Sequence, residues 1–447
     1  MERRARRTSD HADARPTSRS VEGSSLMPYV WSYGMGAEST AAIFRMLSNP
    51  AARPDTIAPD FSNLIVVIAQ TGDEWSTTGR LVQRFMLPLL RKHNVRLVEV
   101  ARQGPTKKDG VAVLQDTRQP YRLHLDGVYK LSRENRVTGT MPQLGGVRKC
   151  SQKAKGAPQD MWRANEFGDR PYIHAIGFNV NEYTRITRDS GYSMGGQRIP
   201  AYPVHEWGWT RQDCIDYLYR KLGVVWPKSC CRHCPYAGNK PGWPEQLARF
   251  AALPVEATEH VIDEYVCLAL NPRSGLFGPG KSLITRLQRD RVTEPISLAV
   301  KRMKAMPWAI YRVRRLYYGR ATAARSVDRV LLGGHRTVHT ALAEVARLLD
   351  VPLTRNEQIV GAPVRDGDLD PYRRLWLRRR SDLGYPDLEE FYVAGPAQAM
   401  NKAPDGFAQA WAGHVEAPLA RLESRADTAV TIVQQALIAT GQRHTAA

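Results

Sequence analysis

The sequence predicts an α/β protein with a doubly wound, mostly parallel sheet, followed by a helical, basic C-terminal domain. Short apolar runs of strand length, such as LIVVIA at 64–69, alternate with stretches of helical period. This alternation is typical of parallel strands covered by helices on both faces. From Glu256 onward, the pattern becomes helical and rich in Arg. We therefore predict a disordered basic tail at 1–27, an α/β domain at 28–255 and a C-terminal domain at 256–447.

The composition is that of a globular protein. Of the 447 residues, 43% are hydrophobic and 24% charged, and no apolar run approaches the roughly 20 residues that span a bilayer. No apolar core follows the N-terminal arginines, so we expect no secretory signal and a cytoplasmic location. The net charge of +20 favours DNA, RNA or charged nucleotides as partners, although an Arg-rich solvated surface would give the same number. The sequence leaves the oligomeric state open.

The segment YVWSYGMGAESTAAIFRM at 29–46 predicts a strand, a glycine-bearing turn and a helix. Such a turn leaves backbone N–H groups unpaired at the positive end of a helix dipole, where a phosphate or pyrophosphate binds well. A tight connection without a ligand would have the same pattern. The predicted binding residues are Ser32, Gly34, Gly36, Ser39 and Thr40.

This turn also resembles a known loop. SYGMGAES is similar to the Ser-Gly-Gly-x-Asp-Ser pyrophosphate loop of the adenine nucleotide alpha hydrolases (PP-loop ATP pyrophosphatases), in the branch typified by phosphoadenosine phosphosulfate (PAPS) reductases. Glu38 stands where the family has Asp, which keeps the charge on a longer arm. The resemblance implies that Glu38 belongs to the nucleotide-binding set, with ATP or PAPS and Mg²⁺ as ligands.

The apolar run 64–69 ends at TGDEW, and residues at the carboxyl end of a parallel strand face the ligand site. Asp73 and Glu74 could hold ribose hydroxyls or Mg²⁺ there, or could be solvated loop residues. TGDEW resembles the Thr-Gly-x-Glu segment of the PAPS reductase group. Residues 101–147, which show no sustained period, are predicted to form a long excursion over the mouth of the site.

Two further segments resemble the same family. RKCSQKAKGAP at 148–158 is similar to its Arg-x-Cys-Thr-x-x-x-Lys-x-x-Pro element, and the flanking cations predict a lowered pKa for Cys150. GFNVNEYTR, which follows the predicted strand at 172–178, resembles Gly-x-x-x-Asp-Glu-x-x-Arg, with Asn181 in place of Asp. Glu182 and Arg185 are the resulting candidates, and the Arg185 guanidinium would clamp phosphate oxygens.

The run PVHEWGWTRQDC resembles the family's Pro-Leu-x-x-Trp segment, and the cysteine knuckle KSCCRHCPY at 228–236 follows it. Cys231 and Cys234 have a C-x-x-C spacing that suits a metal, and Cys150 is the best third ligand because the resemblance places both elements at one mouth. A [4Fe–4S] cluster, a zinc site completed by Cys230 or His233, and metal-free thiols all remain possible.

The C-terminal part carries two ambiguous features. GLFGPGKS at 275–282 satisfies the Walker A pattern but follows a helix, and we interpret it as a chance match. Residues 296–325 hold eight Lys or Arg, no Asp or Glu, and several aromatics, and residues 371–380 add PYRRLWLRRR. This composition indicates either a DNA- or RNA-binding surface or a pair of amphipathic helices. The last segment, from Gly406, is predicted to be helical.

The resemblance covers 29–250 in separated segments, and it implies an enzyme that cleaves ATP between the α- and β-phosphates to adenylate a substrate, followed by sulfur transfer or reduction. One alternative is reduction of PAPS itself, but the family's C-terminal Glu-Cys-Gly-Leu-His nucleophile has no counterpart after Cys267. Another is a nucleotide-sensing, nucleic-acid-binding protein without catalysis. The catalytic candidates are Cys150, Arg185, Glu182 and Asp73.

Overall fold

A computed structural model describes residues 26–142, 144, 148–192, 196–238, 240–278, 281–319, 323–355, 373–380 and 386–440. The predicted tail lies outside these ranges except for its last two residues. The same holds for the Pro-Gly of GLFGPGKS and for residues 371 and 372.

The first sheet has six strands in the order β4-β3-β2-β1-β5-β6. All neighbours in it are parallel except β3 and β4. Because the chain builds outward from β1 in both directions, the strand order reverses between β1 and β5, which is where ligands bind in open α/β sheets. The strands are β1 Tyr29–Ser32, β2 Leu64–Gln70, β3 Arg96–Arg102, β4 Val111–Thr117, β5 Tyr172–Ile176 and β6 Arg198–Ala201.

Helices cover both faces of this sheet. One apolar core contains Trp31 and Val66 of the sheet together with residues of α1, α3 and α9, and another contains Val30 and Val67 with residues of α6. The predicted α/β class is confirmed at this level. The helices are α1 Ala37–Ser48, α2 Ser76–Leu81, α3 Leu87–Lys92, α4 Leu131–Thr138, α5 Lys149–Ser151, α6 Ala157–Phe167, α7 Tyr183–Ser190, α8 Pro203–Glu206 and α9 Arg211–Leu222.

The predicted excursion at 101–147 is more regular than expected. It contains β4 at the sheet edge and α4. The residues of β4 are partly buried at best, and an edge strand of this kind carries no continuous apolar run, so it gave no strand signal.

A second, antiparallel sheet has five strands in the order β8-β7-β11-β10-β9. The prediction of a helical C-terminal domain is therefore wrong. The strands are β7 Trp308–Tyr317, β8 Ala323–Gly333, β9 Leu353–Arg355, β10 Arg373–Arg378 and β11 Asp387–Pro396. The surrounding helices are α10 Trp243–Ala252, α11 Pro254–Leu270, α12 Leu283–Arg289, α13 Glu294–Ala305, α14 His335–Leu349, α15 Phe407–Ala412 and α16 Ala417–Ala439.

The strands of the second sheet lack the usual alternation because the sheet is covered. All ten residues of β11 are buried, and it packs against both α11 and α14. Arginines enter this interior with acidic partners, as Arg315 does with Glu389 at 2.5 Å. A strand that alternates Arg with aromatics and is buried on both faces has no period of two. The helices predicted after Gly406 are confirmed as α15 and α16.

The largest core joins the second sheet to α10, α11 and the cysteine knuckle, and it includes Trp75 and Cys230. The knuckle therefore packs with the C-terminal elements while its other side meets the end of β2. Among the described helices, none combines the length and apolar character needed to cross a bilayer.

Candidate functional site

The glycine-bearing turn presents a run of backbone donors at the point where strand order reverses. In the described part of the chain, no protein group accepts a hydrogen bond from the N–H groups of residues 34–39. The turn carbonyls do have partners: Trp226 Nε1 donates to the Met35 carbonyl at 3.0 Å and Ser229 Oγ to the Gly34 carbonyl at 2.6 Å. Since the carbonyls are held by donors and the amides are not, the turn has the chemistry of an anion site.

Two of the predicted hydroxyl groups have internal partners. Arg198 Nε donates to Nδ1 of His174 at 2.6 Å, and burial, aided by Arg163 and Arg198, holds the His174 pKa well below its usual value. The neutral imidazole therefore carries its proton on Nε2, which lies 2.6 Å from Ser32 Oγ, and Ser32 in turn donates to Gln159. These bonds fix the end of β1.

Thr40 is engaged in a similar way, because its Oγ1 lies 3.0 Å from the hydroxyl of buried Tyr33. Ser39, at the first turn of α1, is also buried. A Cβ placed on Gly177 would lie 2.9 Å from the Ser39 nitrogen. Glycine at the end of β5 therefore allows that strand to approach the start of α1.

Glu38 reaches across the crevice between the carboxyl ends of β1 and β5, where the strand order reverses. Both of its carboxylate oxygens lie 2.9 Å from Arg211 Nη1, and Asn179 Nδ2 approaches at 3.4 Å. This pair links the loop helix α1 to α9 and to the end of β5. Sequence reasoning missed Arg211; its place at the start of the helix that follows PVHEWGW was the available signal.

Arg185 and Glu182 lie at the rim of the same crevice. Glu182 Oε2 accepts from the Asn179 nitrogen at 3.2 Å and so caps the turn that leads into α7. Its other oxygen pairs with Arg185, whose guanidinium also stacks 4.3 Å from the ring of Phe178. Half of the Arg185 side chain is exposed, so it can exchange Glu182 for a ligand.

Glu74 connects the end of β2 to the knuckle. Residues Glu74 and Cys231 form an antiparallel bridge, and Glu74 Oε1 accepts from the Cys230 nitrogen at 2.9 Å. Its Oε2 lies 3.1 Å from Ser229 Oγ. Burial raises the Glu74 pKa, against the opposing charge of Lys155.

Asp73 faces the opposite direction. Its Oδ2 accepts from the Ser132 nitrogen at 2.7 Å, and it forms a buried group with His233 and His260. Hydrogen bonds and the two imidazoles lower its pKa although burial acts to raise it. The structure thus separates the two neighbouring carboxylates, with Glu74 on the loop side and Asp73 on the histidine side.

The three predicted thiols lie in one neighbourhood. Burial and then the charge of Cys234 raise the pKa of Cys150, and burial, Glu74 and Cys234 raise that of Cys231 in spite of Lys155. The expected lowering of the Cys150 pKa by its flanking cations is therefore wrong, because only Arg148 contributes a lowering charge and it is outweighed.

Lys155 belongs to this neighbourhood and was missed as a site residue. Burial acts to lower its pKa, but Glu74 and the cysteines of the knuckle raise it. It lies in the π-helical turn Gln152–Gly156 between α5 and α6, a local distortion that is frequent at functional sites. The family element at 148–158 contains a lysine at this position, which was the available signal.

The distances between the thiols of Cys150, Cys231 and Cys234 help to distinguish a zinc site from an iron–sulfur cluster. Among the described residues, one set of three or more potential ligands lies within 4.8 Å, and it does not include Cys150, Cys231 and Cys234. Tetrahedral zinc would hold its thiolates about 3.8 Å apart. Cys230 contacts Gln246 Nε2 at 3.1 Å and His233 contacts His260, so neither suggested fourth ligand turns toward the three thiols.

The three sulfurs therefore do not match a closed zinc site. A four-iron cluster binds each thiolate to a different iron and needs wider spacing, so this donor set is compatible with a cluster as well as with metal-free thiols.

The segment resembling Walker A is occupied by a carboxylate of the chain. Glu264 is fully buried and accepts from the nitrogens of Leu276, Leu283 and Ile284 at 2.9, 2.7 and 2.9 Å. Ser282 caps α12. These donors are already satisfied by an internal carboxyl group, which supports the interpretation as a chance match.

Most aromatics of the basic stretch are internal. Trp308, Tyr311 and Tyr317 are buried, whereas Tyr318 is exposed. Arg312 pairs with Glu390, Glu423 and Asp427. The three buried rings cannot stack on bases, so any contact with nucleic acid would use other residues.

Comparison of the chain with protein-family models, curated proteins and solved structures gave no match. The resemblance to PAPS reductases therefore rests on the sequence motifs alone.

Proposed function

We propose that the protein is an adenylate-forming enzyme that cleaves ATP to AMP and pyrophosphate at the glycine-bearing turn and supports sulfur transfer or reduction at the adjacent cysteines. The observation that carries this proposal is the run of amides at 34–39, which have no acceptor among the described residues and lie where the strand order reverses between β1 and β5. Backbone N–H groups that have no acceptor within the described part of the chain can donate hydrogen bonds to the β- and γ-phosphates of ATP.

In the proposed reaction, an oxygen of the acceptor attacks the α-phosphorus, and the bond to the β,γ-pyrophosphate breaks. The turn amides would bind the departing pyrophosphate and stabilise its developing charge. Arg185 would leave Glu182 to pair with a phosphate oxygen, since a guanidinium fork can bind two oxygens at once. The adenylated acceptor would then be open to attack by a sulfur nucleophile with release of AMP.

The thiols favour sulfur chemistry over simple hydrolysis. Ser229 contacts the turn and Glu74, and Glu74 contacts the knuckle backbone, so the cysteines lie one hydrogen-bonded step from the proposed pyrophosphate site. A cluster held by Cys150, Cys231 and Cys234 would supply an open iron for sulfide or electrons. Lys155 would balance the charge of the thiolates.

The experiment is to incubate the full chain with Mg²⁺ and ATP labelled at the α- or γ-phosphate, with and without DNA or RNA as acceptor. We expect pyrophosphate together with an equal amount of AMP, which stays bonded to the acceptor until a sulfur nucleophile or water displaces it. Release of inorganic phosphate alone, or ATP binding without turnover under any condition, would overturn the proposal and favour a nucleotide-sensing protein. A parallel incubation with PAPS and a dithiol reductant separates the remaining alternative, because PAPS reduction would oxidise the dithiol to a disulfide and release sulfite without consuming ATP.

A further inference from the structure

We propose that Asp73, His233 and His260 form a second, structural metal site that binds one divalent transition-metal ion of the zinc class. The site is distinct from the three thiols and does not depend on the proposed function. One carboxylate oxygen and one imidazole nitrogen from each histidine lie within 4.8 Å of one another. All three residues are buried, with exposures of 1%, 1% and 0%.

The distance between the histidines fits a shared ion. Their Nδ1 atoms lie 3.2 Å apart, and two nitrogens on a tetrahedral zinc, each bound at about 2.05 Å, are about 3.3 Å apart. A hydrogen bond between two neutral imidazoles would give a similar distance. Two imidazoles and a carboxylate with room for a further ligand form a donor set that borderline metals prefer over Mg²⁺ or Ca²⁺.

Polar atoms around the group lack protein partners. In the described part of the chain, no hydrogen-bond partner is found for Nε2 of His233, Nε2 of His260 or Oδ2 of Asp263. Asp263 is fully buried, and this oxygen lies 3.6 Å from His260 Nδ1. Its other oxygen is held by Arg136 Nε at 2.5 Å. A buried carboxylate oxygen without a partner carries the cost of its lost hydration, and a neighbouring cation would offset that cost.

The three ligands come from three separate elements. Asp73 follows β2, His233 lies inside the knuckle between Cys231 and Cys234, and His260 lies in α11. An ion here would join the end of the first sheet to the helix that packs on the second sheet. Because His233 lies between Cys231 and Cys234, the ion would also hold the knuckle backbone in place, and with it the two thiols.

The test uses the full chain, purified without a metal-affinity tag, stripped with a chelator and titrated with Co²⁺ alone. We expect one equivalent to bind with visible d–d absorption and without the near-ultraviolet charge-transfer band of a thiolate–cobalt bond, and Zn²⁺ to abolish the signal. The double variant C231S/C234S should keep this spectrum. His260→Gln should weaken binding by more than about tenfold, since even partners of metal ligands contribute 10–100-fold.

His124→Gln is the matched control, because His124 also pairs with a carboxylate, Glu99, at 2.9 Å but lies outside the group. It should bind Co²⁺ like the unaltered chain. If His260→Gln does not fold, cobalt binding by Asp73→Asn and the cobalt spectrum of the unaltered chain test the proposal in its place. Asp73→Asn should then bind Co²⁺ more weakly than the unaltered chain. No cobalt signal at stoichiometric metal, or a thiolate-type spectrum that disappears in C231S/C234S and persists in His260→Gln, would overturn the proposal and leave a hydrogen-bonded pair of histidines.

Discussion

Ser229 Oγ lies 3.1 Å from Glu74 Oε2, and this contact joins the cysteine knuckle to the segment that follows β2. The same hydroxyl lies 2.6 Å from the Gly34 carbonyl. Ser229 Oγ is the donor in both contacts, so its single proton is shared between the Gly34 carbonyl and the Glu74 carboxylate. Burial raises the Glu74 pKa, against the lowering effects of Lys155 and of the hydrogen bonds from Cys230 and Ser229.

Replacing this serine should loosen the turn. We expect Ser229→Ala to weaken ATP binding about two- to tenfold, the effect of losing one hydrogen bond of about 0.5–1.5 kcal/mol. Isothermal titration calorimetry measures it. Ser76→Ala is the control, because the Ser76 hydroxyl also donates to a glutamate, Glu256, away from the turn. Equal ATP affinity in the two variants would show that Ser229 does not position the turn.

A methyl group on Gly34 tests whether a ligand approaches the turn backbone. A Cβ there would meet no protein atom within 4 Å, so Gly34→Ala should change the free energy of unfolding by less than about 0.5 kcal/mol. ATP binding should nevertheless fall at least about tenfold, because the methyl group would occupy the space of a phosphate. Gly319→Ala, also free of neighbours, should change neither quantity. Unchanged ATP affinity in Gly34→Ala would argue against phosphate at this turn.

Arg211 should matter through Glu38. Removing the guanidinium in Arg211→Gln leaves the Glu38 charge beside the turn, where it would repel phosphates. The pair is partly exposed, with side-chain exposures of 35% and 15%, so we expect a loss of about fivefold in ATP affinity, or about 1 kcal/mol. The double variant R211Q/E38Q should recover most of the loss. Arg220→Gln, on the same helix, serves as the control, and a double variant as weak as Arg211→Gln would contradict this account.

Glu264 should make stability depend on pH. Burial raises its pKa from 4.5 to about 7. The folded state therefore favours the protonated Glu264 carboxyl. The stability that this preference contributes is fully present below about pH 4.5 and is lost as the pH rises through about 7. A shift of this size corresponds to about 3 kcal/mol.

Urea unfolding at pH 5, 6, 7 and 8 measures this dependence. The free energy of unfolding of the unaltered chain should exceed that of Glu264→Gln most at pH 5, and the difference should shrink toward pH 8. Glu294→Gln, at an exposed position, should follow the unaltered chain at every pH. A difference that is constant or grows with pH would show that Glu264 is ionised throughout.

The sequence was most informative where local pattern decides structure. The fully buried β2 appeared as a continuous apolar run, and the pattern of strand, turn and helix at 29–46 is found as β1, the glycine-bearing turn and α1. The second sheet was missed because β7 and β11 are covered and carry charged residues that pair inside the protein, arginines on β7 with glutamates on β11. Neither a period of two nor a low charge therefore marked them as strands.

For the site, the sequence by itself determined which chemical groups are present and which of them follow strands. These are the glycine-bearing turn, the acidic pair Asp73 and Glu74, and the knuckle. Only the tertiary structure decided which partner each of these groups contacts. It turns Glu74 toward Ser229 and Asp73 toward His233, and it pairs Glu38 with Arg211, more than 170 residues away. Adjacent residues on an extended segment point in opposite directions, and which neighbour each one meets is fixed by elements that pack from distant parts of the chain.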